Sequence, residues 1–461
     1  MKTKYIIGLF LFTFQLVFSQ NITGSWYGKL DVQGQTLPLV VHIEKVGNDL
    51  KSSFDSPLQG AKGIPIKNTL FENNELKFAA PDLGITFNGK LNIDKIEGTF
   101  TQSGMNFPLI LSRNEETAVV RRPQTPKPPF NYNTIDVTFK NDTERNLLAG
   151  TIASPKNFKK NQPILVMITG SGAQDSNEEM FEHKPFLVIA DDLAKKGIAT
   201  LRLDDRGIGG SEKGKEDATS ADFATDINSA VNYLVKNGYK NIGLIGHSEG
   251  GMIAPMVSNR NKNVKFLVLL AAPGIPIIDL TLDQNKKLAE SANLPQTAID
   301  EVLSIKSKTF TYAKRYEGKD FKADFTKYLQ ENYPNMSAPE RAAYIDQMSS
   351  PWFQYFIKFN PDDYLSKVKI PVLAVDGSLD LQVSAKENLA GIKKSLTKAG
   401  NKNFEIVEFE GLNHLFQTAT TGNPSEYGQI EETFSPKVLD KISSWILQFK
   451  NRTQPVNPLK D

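Results

Sequence analysis

Ile242-Gly243-Leu244-Ile245-Gly246-His247-Ser248-Glu249-Gly250-Gly251 is the stretch on which the reading of this chain turns. An apolar run of the kind a strand buries on both faces leads directly into G-x-S-x-G. The chain must turn sharply there from strand into helix, so small residues are needed two before and two after the serine. Gly246 and Gly250 meet that need, and the serine oxygen is held out at the tip of the turn. Met252, Ile253, Met256 and Val257 follow at helical spacing, which is the context the motif requires. The backbone N–H of Glu249, the first after the serine, then points to where an oxyanion would form.

Working outward, strands alternate with helices from Ile135 onward, the signature of a mainly parallel sheet with helices on both faces. Ile135–Phe139, Leu147–Ala153, Ile164–Ile168, Ala199–Leu203, the stretch before Ser248, Phe266–Leu270, Ile370–Val375 and Phe404–Phe409 make eight strands. Helices are expected at 183–196, at a segment showing Phe223, Ile227, Ala230, Val231 and Leu234 on one face with Ser220 as N-cap, and at a last segment burying Val438, Leu439, Ile442, Trp445, Ile446 and Phe449. The alternation stops over 275–365, which is helical, charged and broken by Pro295, Pro334, Pro339 and Pro351. An insertion between two strands of one sheet is expected to form a lid over the strands' carboxyl ends. The α/β core therefore spans 134–274 and 366–450, with a Pro-rich tail at 451–461.

Upstream the pattern is different. Residues 20–115 read as an all-β domain, a sandwich or barrel of lipocalin type, with turn residues at Gly47-Asn48, Asn73-Asn74 and Asn92-Ile93-Asp94. Gly28, Gly34, Pro38 and Leu39 recur 70 positions later as Gly98, Gly104, Pro108 and Leu109, which predicts two similar hairpins. Trp26, Tyr27, Phe78 and Phe87 form no ligand pattern and are read as core and rim. Residues 116–133 hold Pro123, Pro126, Pro128 and Pro129 beside Arg121 and Arg122, a stiff extended linker. Residues 1–19 carry Lys2 and Lys4 ahead of an apolar run from Tyr5 to Phe18, the pattern of a secretory signal peptide. The expected product is a soluble exported protein, periplasmic or secreted, with no stable membrane anchor.

Composition narrows the chemistry. The 461 residues contain no cysteine, which excludes disulfides and a lipid-anchored cysteine. Loss of the leader's two lysines takes the formal charge from +2 to 0, so nothing electrostatic favours nucleic acid or an anionic membrane. The four histidines, His42, His183, His247 and His414, are scattered with no H-E-x-x-H, and neither a metal nor another cofactor is expected.

A serine becomes a nucleophile when a base takes its proton, and the base needs an acid to orient it. In a strand–turn–helix setting the order is serine, acid, histidine. Elimination leaves His414, in Gly411-Leu412-Asn413-His414 after the last strand, as the base for Ser248. The acid should follow strand 370–375, where both Asp376 and Asp380 stand. Asp376 directly precedes a turn glycine, a position that serves equally to cap the turn; Asp380 reaches further into the loop and is preferred. The second oxyanion donor should come from Thr169-Gly170-Ser171-Gly172, through the N–H of Ser171 or Gly172 beside that of Glu249. Asp204-Asp205-Arg206-Gly207-Ile208-Gly209-Gly210-Ser211 is read as a structural turn with Arg206 paired locally.

On these residues the stretch from about 130 to 450 resembles the α/β-hydrolase superfamily, and within it bacterial serine esterases and serine-aminopeptidase-like hydrolases with a G-H-S-E-G-G elbow. The matching parts are T-G-S-G at 169–172, D-x-R-G-x-G-x-S at 204–211, the elbow, G-x-x-D-x-x-V at 377–383 and N-H at 413–414. The resemblance implies Ser248 as nucleophile, Asp380 as acid and His414 as base, acting on a small-molecule ester through an acyl-enzyme. It does not reach residues 20–115, and Thr169 stands where many relatives have histidine. A peptidase of the same fold, an acyltransferase, and a binding protein built on a retired hydrolase are the competing readings; the intact Ser, Asp and His argue against the last. The densest aromatic cluster, Trp352-Phe353-Gln354-Tyr355-Phe356, lies on the inserted segment. Trp352 and Phe356 are expected to wall the acyl pocket and to favour compact acyl groups.

Overall fold

The computed structural model describes residues 21–32, 35–47, 49–57, 61–102, 105–114 and 121–450. The leader at 1–19 and the tail at 451–461 lie outside the described residues, as do Gly34 and Gly104. The chain divides into two compact units, residues 1–119 and 120–461.

The first unit is one continuous nine-stranded antiparallel sheet. Its strands are β1 (Gly24–Val32), β2 (Gln35–Val46), β3 (Asp49–Ser56), β4 (Ala61–Ile66), β5 (Asn68–Glu72), β6 (Glu75–Ala80), β7 (Ile85–Asn92), β8 (Lys95–Gln102) and β9 (Met105–Ser112). They run in the order β4-β3-β2-β1-β9-β8-β7-β6-β5. Each strand therefore pairs with its neighbour in sequence, except across β4 and β5, and β1 joins β9. The period-2 rule decides what is buried: along β7, Ile85, Phe87 and Leu91 point inward and Thr86, Asn88 and Lys90 outward. Trp26, Phe78 and Phe87 are core residues, with Phe78 and Phe87 stacked at 4.9 Å. The repeated residues occupy one register in two hairpins: Gly28 faces Leu39 as Gly98 faces Leu109, and Lys29 faces Pro38 as Thr99 faces Pro108. His42 is held by Ser25 and Asp55.

The second unit carries an eight-stranded sheet: β10 (Asn133–Lys140), β11 (Leu147–Ser154), β12 (Pro163–Ile168), β13 (Ala199–Leu203), β14 (Asn241–His247), β15 (Val264–Leu270), β16 (Val372–Gly377) and β17 (Phe404–Phe409). The order is β10-β11-β13-β12-β14-β15-β16-β17, antiparallel from β10 to β13 and parallel beyond. β12 is buried at every residue, as a central strand covered on both faces must be. One face packs on α1 (Pro185–Lys195) and the last helix, Pro436–Leu447; the other packs on α2 (Ser220–Lys236), α3 (Glu249–Arg260) and the helix Ala385–Lys398. α2 is capped by Thr219 rather than Ser220, in a capping box with Asp222. Ser220 sits one residue inside, where its hydroxyl serves another partner described below.

Between β15 and β16 come six helices, α4 (Ile277–Ser291), α5 (Gln296–Arg315), α6 (Phe321–Asn332), α7 (Ala338–Ser349), α8 (Pro351–Lys358) and α9 (Asp362–Leu365). Ile277, Phe310, Phe325, Met348 and Phe353 join the same apolar cluster as α2 and α3. The segment expected to be a linker is, from Arg121 onward, part of the second unit. The Arg122 guanidinium donates to the carbonyls of Phe181, Gly428 and Ile430, and Gln124 bonds Thr433 and Phe434. A side chain that satisfies three carbonyls fixes the segment more firmly than proline stiffness alone.

Candidate active site

The parallel register sets the site. Ile168 pairs with Gly246, His247 with Leu270 and Gly377 with Phe409, so the loops that follow β12, β14, β16 and β17 leave the sheet on one edge. That edge is where ligands bind in open α/β sheets.

Ser248 takes φ 52° and ψ −118°, a conformation that a non-glycine residue adopts only under strain. Both flanking glycines are sterically required. A Cβ on Gly246 would stand 2.2 Å from the Gly250 carbonyl oxygen, and one on Gly250 2.2 Å from that of Ile168. The N–H of Ser248 donates to Leu270 O at 2.9 Å, and Gly251 N to Ser248 O at 2.9 Å. Glu249 opens α3, so its N–H is among those a helix leaves without an internal partner.

His414 Nδ1 lies 2.6 Å from Asp380 Oδ2, and both residues are buried. Asp380 Oδ1 accepts from the N–H groups of Gln382 and Val383, which fix the carboxylate's orientation. Asp376 bonds the N–H of Gly377 instead; burial, followed by the charge of Asp380, pushes its carboxyl well above the ordinary range. The two aspartates thus divide into one facing the histidine and one buried behind it. The histidine loop is built by Asn413, fully buried, whose Oδ1 accepts from the N–H groups of Leu415 and Gln417. Gly377 must be glycine because a Cβ there would meet Leu412 O at 2.2 Å.

Three side chains that organise this site were not singled out from sequence. Glu178 Oε1 accepts from the N–H of Gly170 at 2.7 Å and from His247 Nδ1 at 2.9 Å. His247 Nε2 in turn donates to the carbonyl of His414 at 3.0 Å. Both partners of the imidazole are acceptors, an arrangement that favours the form with a proton on each nitrogen. Burial alone would lower its pKa, but the Glu178 charge, that hydrogen bond and the His414 carbonyl together raise it. Asp205 braces the same loop from behind, accepting from the Thr169 hydroxyl at 2.9 Å and the Gln174 N–H at 2.9 Å. Burial pushes the Asp205 carboxyl up to about 7. Arg206 does not pair locally. It reaches Asp226 at 2.6 Å and Glu144 at 2.9 Å, a buried cluster that pins the 204–211 turn to α2. His183 is buried against Thr433, Tyr427 and Gln417.

Two cavities meet here. The first, of about 550 Å³, is lined by Ser248, Glu249, His414, Ser171, Trp352 and Phe356 among others. The second, of about 470 Å³, is lined by Gly170 to Ala173, Asp204 to Arg206, Glu249, Ile253 and Trp352 among others. Of the two expected loop donors, Ser171 adjoins both cavities, whereas Gly172 adjoins the second. Trp352 Nε1 donates to Glu249 Oε1 at 2.9 Å, the Ser220 hydroxyl donates to the same oxygen at 2.6 Å, and Trp352 stacks on Phe356 at 5.0 Å.

A doubly wound sheet with a strained serine between strand and helix defines a serine hydrolase of the α/β class. Residues 182–418 match the family described as Hydrolase_4, serine aminopeptidase, S33, and the chain belongs to it. Esterase EstD of Thermotoga maritima is 27% identical over 312 residues, 67% of each chain. Among solved structures, an esterase of Pyrococcus furiosus gives a TM-score of 0.43 at 16% identity, over 69% of this chain and 92% of that one. A proline iminopeptidase of Mycobacterium smegmatis gives 0.44 at 16% identity, over 69% and 100%. Among the described residues no helix is long and apolar enough to cross a membrane.

Proposed function

We propose that this protein is an exported hydrolase that cleaves carboxylic esters through an acyl-enzyme, with Ser248 as nucleophile, His414 as base and Asp380 as its orienting acid. The observation that carries the reading is the 2.6 Å bond between His414 Nδ1 and Asp380 Oδ2, beside a cavity shared by His414 and the strained Ser248. With Nδ1 held by the carboxylate, Nε2 is the nitrogen left to take the serine proton. Ser248 Oγ attacks the carbonyl carbon and its proton passes to His414. The oxyanion is met by the N–H groups of Glu249 and Ser171. The C–O bond to the alcohol breaks, and the leaving alkoxide takes the proton from His414. Water then repeats the sequence on the acyl-serine, releasing the acid and restoring the hydroxyl. The helices α4 to α8 act as the lid.

The ester reading is favoured over aminopeptidase action by the engagement of the carboxylates that line the two cavities. An aminopeptidase needs an anionic anchor for the ammonium group on its substrate's acyl part. Glu178 and Glu249 line the first cavity, and Asp204, Asp205, Glu216, Asp226 and Glu249 the second. Glu178 is held by Gly170 and His247, Asp204 by the N–H groups of Ser176 and Gly210, Asp205 by Thr169 and Gln174, Asp226 by Arg206 and Glu216 by Lys213. Glu249 bonds Ser220 and Trp352 through Oε1, and its Oε2 is buried out of reach of solvent with no hydrogen-bond partner. The test is a panel of aryl esters, aminoacyl amides and peptidyl amides with wild type and Ser248→Ala. Ester turnover falling on the order of a millionfold in Ser248→Ala is expected. Faster cleavage of aminoacyl amides than of esters would overturn the assignment.

A further inference from the structure

The two cavities share Gly170, Ser171, Glu249 and Trp352, the first two on the oxyanion loop, and the proposed reaction draws only on the first. A carbonyl carbon under attack carries two substituents, and they must leave it in different directions. The departing alkoxide receives its proton from His414, so the alcohol has to lie on the side of His414. His414 and Ser248 line the first cavity and are absent from the lining of the second. The acid's own chain must therefore run the other way, past the loop Gly170 to Ala173, which lines the second.

The chemistry of the two cavities differs in the sense this requires. Leu148, Ile168, Leu203, Phe223, Ile227 and Ile253 give the second an apolar floor. Its charged lining residues each have partners: Arg206 with Asp226, Lys215 with Asp222, Lys213 with Glu216, Asp204 with the N–H groups of Ser176 and Gly210, Asp205 with Thr169 and Gln174, and Glu249 through Oε1 with Ser220 and Trp352. The first cavity has an aromatic wall of Phe310, Phe353 and Phe356, and adds to it a row of side chains that can hydrogen-bond a ligand, Gln284, Asn285, Gln347 and Gln382, which the second lacks. Both volumes fall in the range that holds a small ligand.

We propose that the cavities divide one ester between them, the second taking an apolar acyl chain longer than acetyl and the first a polar, multiply hydrogen-bonding alcohol. This rests on the ester reading above and gives its substrate class. Trp352 is the partition, since it lines both cavities and is pinned by Glu249. Phe356 lines only the first, so it walls the alcohol rather than the acid, and the expectation of a compact acyl group gives way to a longer one.

Two substrate series separate the arms: p-nitrophenyl esters from acetate to octanoate, and butyrates of glycerol and of butanol. Ala218→Phe fills the second cavity, and Gln284→Leu removes a polar group from the first. Wild type should prefer octanoate over acetate and the glycerol ester over the butyl ester. Ala218→Phe should cut the octanoate-to-acetate ratio of kcat/KM by about 10–200-fold, the scale of a misfit in an apolar pocket, and leave the glycerol preference alone. Gln284→Leu should do the reverse. Should Ala218→Phe fail to fold, Ile227→Ala widens the same arm and should move the optimum to longer chains. An acyl profile unmoved by either second-cavity variant, or moved by Gln284→Leu, overturns the division of arms. Full activity of Ser248→Ala on the same panel would instead remove the ester reading itself, so the two failures are told apart.

Discussion

Replacing Glu178 with glutamine removes one charge and almost no volume, and it tests the clamp that joins three loops of the site. In the native protein the Glu178 carboxylate holds Gly170 N–H at 2.7 Å and His247 Nδ1 at 2.9 Å, while His247 Nε2 holds the His414 carbonyl at 3.0 Å. Glutamine offers one acceptor oxygen and no charge, so the buried imidazolium loses its counterion and gives up a proton. A neutral ring donates once, and one of its two bonds is lost. Breaking a buried pair costs about 3–5 kcal/mol when the remaining charge has no escape. Deprotonation is an escape, which brings the expected loss to about 2–3 kcal/mol, the scale of an unsatisfied buried acceptor. The clamp sets the oxyanion loop against the histidine loop, and small displacements there cost up to about 100-fold in rate. We expect kcat on a p-nitrophenyl ester to fall about 10–100-fold with KM little changed. The sign with pH follows from the raised His247 value. The pair's stability is fully present below the unfolded pKa of about 6.5 and is lost as pH rises through the higher folded value. Urea unfolding of wild type and Glu178→Gln should therefore differ most at pH 6 and converge towards alkaline pH. Equal urea midpoints at pH 6 together with a native kcat would refute the clamp.

Asp380→Asn should lower kcat on the order of 10⁴-fold by unsettling the histidine's orientation, while Asp376→Asn, which keeps an acceptor for the Gly377 N–H and touches no histidine, should stay within about tenfold; the opposite ranking in steady-state kinetics would exchange their roles. The Asp205 carboxyl is raised from 3.8 to about 7 in the fold, so ionising it opposes folding and stability drops as pH climbs between about 4 and 7; Asp205→Asn should remove that slope from a series of urea curves, and an unaltered slope would count against it. A chain beginning at Arg121 should turn over a small ester like the full protein, whereas one beginning at Phe130 loses the anchors at Arg122 and Gln124 and should unfold at lower urea; equal midpoints for the two would show that those bonds contribute nothing.

The parallel sheet, its interrupting helices and the residues Ser248, Asp380 and His414 were legible because each rests on local pattern: apolar runs of strand length, a fixed pentapeptide, one histidine downstream. Between Asp376 and Asp380, which follow the same strand, reach into the loop favoured Asp380; both are buried, and what separates them is that Asp380 bonds His414 while Asp376 bonds the N–H of Gly377. Glu178 and His247 were not legible. Their partnership spans 69 positions, Glu178 sits in a polar loop with no periodicity, and His247 occupies the unspecified position of a motif defined by its serine. An acidic residue soon after the T-G-S-G loop, with a histidine before the serine, is the signal that could have found the pair. The 204–211 turn reads from sequence as a structural turn with Arg206 paired locally, since two aspartates directly precede it; Arg206 instead bonds Asp226 and Glu144, one on α2 and the other in the loop between β10 and β11. The capping residue of α2 shifted by one because Ser220 is needed at Glu249, a tertiary demand that no local preference encodes.

The backbone at Ser248 bears on the chain's history as well as its chemistry. A left-handed serine of this kind costs on the order of 1–3 kcal/mol, and glycine at the same place would carry almost none of that penalty. Single-residue drift towards glycine at 248 would thus leave a sturdier protein with no hydroxyl. Domains of this size keep only about 5–15 kcal/mol in hand, so a lineage released from selection for turnover has a standing incentive to make that exchange. At φ 52° Ser248 keeps the hydroxyl and forgoes the stability that glycine would bring, so the backbone strain of the chain coincides with the group that a binding scaffold would not need.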